Sequence, residues 1–288
     1  MPPLLPLVYL LPIGILMTFV GAFRDPRAAR AASTAFVAFA LGLLAYGLVG
    51  FAFQFGGVGL VSANPDLKDL VREWSVLDRA FGAGWGLIAF DAFGVVFAAR
   101  SEAELALYVY HGALAGTATL LPILALAPRV RSRALVLGAF IWGAFVYPIQ
   151  GNWVWGGGWL AYLGRTLNLG HGTVDYAGAL TVFLFGGLSA LGALTGYGLR
   201  SAARATNVAP ELPRAHLPVL MILGALITFV GVTAAALANP LYLNPAPVIV
   251  VFANLVNATL AGIVTAALYG WLIGGEASPV LATRGALA

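Results

Sequence analysis

A chain of 288 residues that is 61% apolar and only 9% charged, with a mean hydropathy of +0.93, cannot cover a water-soluble fold, whose residues are about 25% charged. Soluble enzymes and nucleic-acid-binding domains are excluded, and the composition is that of an all-α, polytopic membrane protein. The net charge of +4 comes from arginines in short loops beside apolar runs, which is a topology signal and not a nucleic-acid surface.

A spanning helix takes about 20 apolar residues, and seven runs qualify: 4–22, 34–56, 105–127, 134–151, 175–199, 217–238 and 246–273. The first is long and is closed by Arg24 and Arg27, unlike a cleaved leader, so it is expected to stay as a membrane helix. Residues 81–98 are apolar but contain Asp91 and several glycines, and are expected to pack on protein as an outer loop or re-entrant segment. If they do not cross, the loops at 23–33, 128–133, 200–216 and 274–284 share one side and hold ten of the fifteen basic residues. The positive-inside rule then puts that side in the cytoplasm and the N-terminus outside. Pro128, Pro210, Pro213, Pro240, Pro245 and Pro247 fall at helix boundaries, whereas Pro122 and Pro148 lie inside runs and predict kinks. Gly112-x-x-x-Gly116 and Gly192-x-x-x-Gly196 have the spacing that lets helices approach closely.

Polar and ionisable groups inside a membrane are costly, so they are the functional candidates. Asp175 opens the fifth run in Gly170-His171-Gly172-Thr173-Val174-Asp175-Tyr176-Ala177-Gly178. It suits both an N-cap and an anion beneath an outer vestibule that favours a passing cation. Before it, Trp153, Trp155 and Trp159 surround the triplet Gly156-Gly157-Gly158. Such a group is either an interfacial aromatic belt or an aromatic wall for a small cation. His171 and His216 sit at helix boundaries, where solvated or capping roles are expected. There is no cysteine, which removes disulfides, Fe–S clusters and thiolate metal sites, and the three scattered histidines lack metal-ligand spacing. No cofactor is expected, and the absence of a nucleophile–base pair or phosphate-cradling loop argues against an enzyme.

The segments Trp153-Val154-Trp155-Gly156-Gly157-Gly158-Trp159-Leu160 and Gly170-His171-Gly172-x-Val174-Asp175-Tyr176-Ala177-Gly178 closely resemble the signature of the ammonium transporter family. Tyr46-Gly47-Leu48-x-x-Phe51-Ala52-Phe53, Gly187 to Arg200, and Asn254-x-x-Asn257-Ala258-Thr259-Leu260-Ala261 follow in the same order, so the resemblance covers essentially the whole chain. It implies transport of ammonium or ammonia by a homotrimer in the cytoplasmic membrane. It also implies eleven membrane helices with five-helix halves related by inverted pseudo-symmetry, and docking of a small P-II-type regulatory protein on the inner face. On this reading residues 1–200 form the first five-helix repeat and 201–288 an incomplete second one, giving about seven of the eleven helices. The last residues resemble the loop and opening turn of an eighth helix, so a C-terminally truncated chain without a closed pore is expected.

Family roles carry over residue by residue. The tryptophan of the outer recruitment site corresponds to Trp155, the structural aspartate to Asp175 and the recruitment serine to Asn239. The outer gate positions correspond to Leu114 and Ala235. The first pore histidine corresponds to Phe183, which cannot hydrogen-bond an imidazole or take a proton, so a two-histidine relay cannot form. His111 stands where the family often has glutamine. It is expected to be hydrogen-bonded within the bundle, with a replacement pore imidazole as the alternative. The changed gate and histidine positions also keep open a non-conducting ammonium sensor or membrane assembly subunit.

Overall fold

The computed structural model describes residues 4–22, 27–62, 64–71, 73–74, 88–89, 92–95, 101–168, 170–201, 217–242, 247–275 and 278–288. A 3-10 turn, Leu5–Tyr9, leads into α1 (Leu10–Ala22). The next helix, α2 (Arg27–Ala45), runs through a wide π turn (Tyr46–Gly50) into α3 (Phe51–Gln54). The short α4 (Val58–Val61) and a 3-10 turn (Pro65–Val71) follow. Helix α5 spans Glu102–Leu126. Helix α6 (Ser132–Ile141) passes through a second π turn (Trp142–Val146) into α7 (Tyr147–Trp155), then α8 (Trp159–Thr166). A third π turn (Ala179–Leu184) opens α9 (Phe185–Ser201), and α10 (Pro218–Ala238), α11 (Val248–Gly274) and α12 (Pro279–Leu287) complete the bundle. Two short strands, β1 (Glu73–Trp74) and β2 (Ile88–Ala89), pair antiparallel with Glu73 opposite Ala89.

Among the described residues, seven helical segments are long and apolar enough to cross a bilayer, and they coincide with the seven runs of the sequence. The chain is a multi-pass membrane protein. The fourth segment is longer than the run suggests, Ser132–Gly164, because it continues past the glycine triplet into α8. Within residues 81–98, the described parts are strand at Ile88–Ala89 and turn at 92–95, not helix. Ala89, Ala92 and Val95 are buried in the core, and the Gly94 N–H donates to the Leu48 carbonyl at 2.9 Å. Asp91 lies outside the described residues.

Helix α5 is the central pillar. Its start is fixed by Ser101, whose hydroxyl accepts from the Glu104 N–H at 3.2 Å, with Glu102 and Glu104 in the first turn facing the positive end of the helix dipole. From Leu107 to Leu124 almost every residue is buried, and alanines and glycines on all sides let neighbours close in. Phe39 of α2 lies on Gly116, and Leu43 and Tyr9 lie over Gly112. The other small-residue pair, Gly192 and Gly196, has nothing within 4 Å, so the spacing alone did not identify a contact within this chain. Helix α11 is the opposite of α5: only Gly270 is buried, and Leu268, Trp271, Leu272 and Ile273 are more than half exposed. The two in-run prolines also behave differently from each other. Helix α5 continues through Pro122, while Pro148 follows directly after the π turn inside the helix that runs on from α6.

The most extensive helix crossing among the described residues joins α1 and α10, and it rests on a repeated octad. Gly14-Ile15-Leu16-Met17-Thr18-Phe19-Val20-Gly21 and Gly224-Ala225-Leu226-Ile227-Thr228-Phe229-Val230-Gly231 share Gly, Leu, Thr, Phe, Val and Gly at matching positions. The backbone of Gly14 meets Thr228 and Gly224, and that of Gly224 meets Thr18 and Gly14. Gly21 meets Leu217 and Met221, whereas Gly231 meets Leu10 and Leu11. Rising numbers in α1 meet falling numbers in α10, so the helices cross antiparallel with local two-fold character. Each threonine hydroxyl bonds its own helix, Thr18 to the Gly14 carbonyl at 2.9 Å and Thr228 to the Gly224 carbonyl at 2.8 Å.

A side chain at Gly14 would collide with backbone, whereas one at Gly192 would meet open space. Gly14→Leu is therefore expected to destabilise the detergent-solubilised protein by about 1–3 kcal/mol, with Gly192→Leu nearly neutral. Thermal unfolding followed by tryptophan fluorescence would compare the two.

Candidate functional site

The site is organised around Asp175, which lies four residues before the helical turn it serves and not inside it. Gly178 takes φ +88°, a conformation that side chains rarely adopt, and this folds the chain back over the carboxylate. One oxygen, Oδ1, accepts from the N–H groups of Gly178 and Ala179 at 2.8 and 2.9 Å. The other, Oδ2, accepts from the N–H groups of Leu180 and Thr181 at 3.1 and 3.0 Å, and from the Thr181 hydroxyl at 2.9 Å. The carboxylate thus satisfies the free donors at the start of the helix that continues as α9. Its oxygens are filled by these five donors, so what it can offer a passing cation is its field.

The backbone of the same segment positions the surrounding side chains. Trp155 Nε1–H donates to the Asp175 carbonyl at 2.8 Å, and this indole is only 3% exposed. The hydroxyl of Tyr242 lies 3.3 Å from both the Asp175 carbonyl and its N–H. Burial pushes the Tyr242 phenol above its ordinary value, so it stays protonated. One residue on, the Tyr176 carbonyl accepts from Asn239 Nδ2 at 3.0 Å and lies 2.9 Å from the Tyr110 hydroxyl, which also lies 2.8 Å from the Ala235 carbonyl. Asn239 Oδ1 in turn accepts from the Leu241 N–H at 3.1 Å. Trp155, Asp175 and Asn239 are therefore joined through two consecutive carbonyls.

The three tryptophans separate by role. Trp153 and Trp159 are 38% and 39% exposed and face each other at 6.1 Å, as a belt does. Trp155 points inward, with its ring 4.7 Å from the His111 ring. The glycine triplet makes this possible by letting two backbones dock. The Gly57 N–H donates to the Gly156 carbonyl at 2.9 Å, and Gly157 has φ +88°. A side chain on Gly156 would strike the Gln54 carbonyl.

His111 is fully buried among the rings of Trp155, Phe55 and Tyr110, at 4.7, 4.8 and 4.9 Å. Its Nδ1 is 3.2 Å from Gln54 Nε2, while its Nε2 and Gln54 Oε1 have no partner. With the amide nitrogen donating, the ring proton belongs on Nε2. Turning the Gln54 amide over makes its oxygen accept from Nδ1–H and leaves a lone pair on Nε2. The hydroxyls of Tyr147 and Tyr46, whose rings are 6.1 Å apart, are also buried without partners. Buried polar atoms are rarely left unpaired. Gln54, Tyr110, Tyr147 and Tyr242 were missed in the sequence. Gln54 had a usable signal, being the single amide in the second apolar run, whereas the tyrosines looked like ordinary interfacial aromatics.

Leu114 lies one helical turn along α5 from His111 and is fully buried, as is Ala235 of α10. Phe183 sits in the π turn after Asp175, packs against the core, and lines a cavity of about 250 Å³ with Thr18, Leu121 and Met221. A polar cluster, a buried apolar stretch and a cavity therefore occur in turn along α5, at Tyr110 and His111, at Leu114, and at Leu121. His171 is exposed, with Nδ1 2.9 Å from the Gly172 carbonyl, and His216 lies outside the described residues.

Residues 4–288 match the sequence profile of the Ammonium Transporter Family. The chain belongs to that family. Among curated family members it is similar to ammonium transporter Amt2 of Archaeoglobus fulgidus, with 26% identity covering 98% of this chain and 55% of that protein. It is also similar to ammonium transporter Amt1 of Methanocaldococcus jannaschii, with 28% identity covering 94% and 57%. The chain spans about half the length of the curated relatives it matches. Among solved structures, a Sensor Amt Protein superposes with a TM-score of 0.74 at 21% identity, over 96% of this chain and 63% of that one. Candida albicans Mep2 gives 0.68 at 21%, over 99% and 57%. At that identity the structures establish the shared transporter fold, which α12 enters as a formed helix of nine residues.

Asp175→Asn keeps the shape but replaces one acceptor oxygen by an N–H₂ set against backbone donors. A loss of about 2–4 kcal/mol in stability is expected, read as a lower melting temperature together with a shift in Trp155 emission.

Proposed function

We propose that this chain forms the outer recruitment site and upper pore of an ammonium/ammonia transporter. The observation that carries the reading is the pairing of a buried, anchored indole, Trp155, with an imidazole 4.7 Å away whose Nε2 is unpartnered. Ammonium entering from the polar mouth exchanges part of its hydration shell for the Trp155 face and the field of Asp175. With the Gln54 amide oxygen turned towards Nδ1–H, His111 Nε2 is the group that takes the proton, in place of the histidine that Phe183 replaces. Neutral ammonia then passes Leu114, Ala235 and Phe183, where an apolar lining hinders the ion far more than the neutral molecule, and the proton returns to the outer mouth.

The same reading places the protein in the cytoplasmic membrane with its N-terminus outside, supported by the arginines at 129, 131 and 133 beyond the end of α5. It divides the chain into a first five-helix repeat at 1–200 and part of a second at 201–288. The antiparallel octads of α1 and α10, the first helices of the two repeats, support that division. A homotrimer is proposed because the exposed apolar face of α11 needs protein or lipid against it. A P-II-type regulator would meet the arginine-rich inner face.

The test is methylammonium uptake by the complete protein in liposomes. Trp155→Leu is expected to raise KM about tenfold, the size of a desolvated cation–π contact, with little change at saturation. His111→Ala is expected to abolish uptake. Ammonium binding without any flux would replace the transport reading by the sensor one.

A further inference from the structure

The cavity beneath Phe183 has one charged side chain in its lining, Arg284 of α12, and no acidic side chain lines it among the described residues. The rest of the wall is apolar apart from Thr18, with Phe19, Leu121 and Met221 contributed by three different elements. Leu121 lies seven residues beyond Leu114 on α5, two turns along the same face, so the cavity continues the line that runs from His111 through Leu114. Arg284 lies five residues beyond Pro279, roughly 8 Å along the α12 axis. An arginine so near a helix start carries its charge at the interface, and Arg284 is exposed while its side chain lines this cavity.

The direction of Arg284 is set by its neighbours. Gly285 and Gly262 of α11 touch backbone to backbone, which locks the rotation of α12. Ala282, Thr283 and Ala286 then line the groove towards α10 and α11, while Arg284, Leu287 and Ala288, at i, i+3 and i+4, line the cavity. The cavity also reaches Ala22 at the end of α1, so Arg284 stands at the arginine-rich end of the bundle.

We propose that Arg284 makes the path asymmetric towards ammonium: its guanidinium repels the cation from the cavity on the arginine-rich face, lowering the affinity for ammonium presented from that side and leaving neutral ammonia unaffected. The outer cluster gathers cations by an indole face and a carboxylate field, and the opposite mouth disperses them by a fixed positive charge, as arginines do in other cation-excluding pores. The proposal rests on the transport reading above.

Uptake of ammonium by the complete protein, measured separately from each face in right-side-out and inside-out vesicles, tests it. Arg284→Gln is expected to lower KM from the arginine-rich face about fourfold at low salt, with KM from the opposite face unchanged. Raising the salt should shrink the difference. Arg284→Lys should keep the parental value, and Arg284→Glu should lower it further and serves as the second neutralising variant if Arg284→Gln inserts poorly. An active transporter whose KM from that face is the same in the parent, Arg284→Gln and Arg284→Glu overturns the proposal alone. A parent protein that carries no ammonium from either face overturns the transport reading and this proposal with it.

Discussion

In a bilayer every backbone polar group must be satisfied within the protein, and here the Asp175 carboxylate meets that requirement for the start of a membrane helix. Five donors converge on its two oxygens. The carbonyls of Asp175 and Tyr176 are thereby held in fixed directions. Trp155, Tyr242, Asn239 and Tyr110 all bond to one or other of them, and Phe183 follows in the same turn. One capped helix start thus positions Trp155, Tyr242, Asn239 and Tyr110.

Around this centre, helices meet by close approach, since lipid is as apolar as leucine and gives helices no hydrophobic reason to associate. The α1–α10 crossing shows the principle, with glycines at 14, 21, 224 and 231 bringing backbone against backbone. Its reciprocal contacts give a local two-fold axis between the first helices of the two proposed repeats. On the proposed repeat division, such an axis would present the same helix type to the path from opposite ends. Helix α5 contributes Tyr110, His111 and Leu114 from one end, and α12 contributes Arg284 from the other.

The buried polar groups around Asp175 and His111 differ in how completely they are paired. Asp175 and Asn239 are fully engaged and act as braces. His111, Gln54, Tyr46 and Tyr147 retain buried atoms without partners, and such atoms carry a free-energy cost unless something occupies or uses them. On the proposed transport reading, that contrast separates the residues that brace the site from those able to exchange hydrogen bonds with a small polar guest. His111 is a buried imidazole with its ring 4.7 Å from that of Trp155.

The sequence by itself determined the membrane class, the seven spans and the family, because apolar length and a motif of consecutive residues are local properties that survive without coordinates. It also named Trp155, Asp175, Asn239, Leu114, Phe183, Ala235 and His111 as positions of interest. Tertiary structure alone decided how these positions are arranged. It turned Trp155 inward and left Trp153 and Trp159 as a belt, placed Asp175 before its helix as a cap, and left Gly192 and Gly196 without a neighbour. It also brought Gln54 to His111 and Arg284 to the Phe183 cavity, contacts 57 residues apart in the first case and joined across separate helices in the second. Composition and periodicity fix how a helix partitions into lipid, but which side of it faces a partner depends on helix rotation, and that is set by the packing of residues distant in the chain.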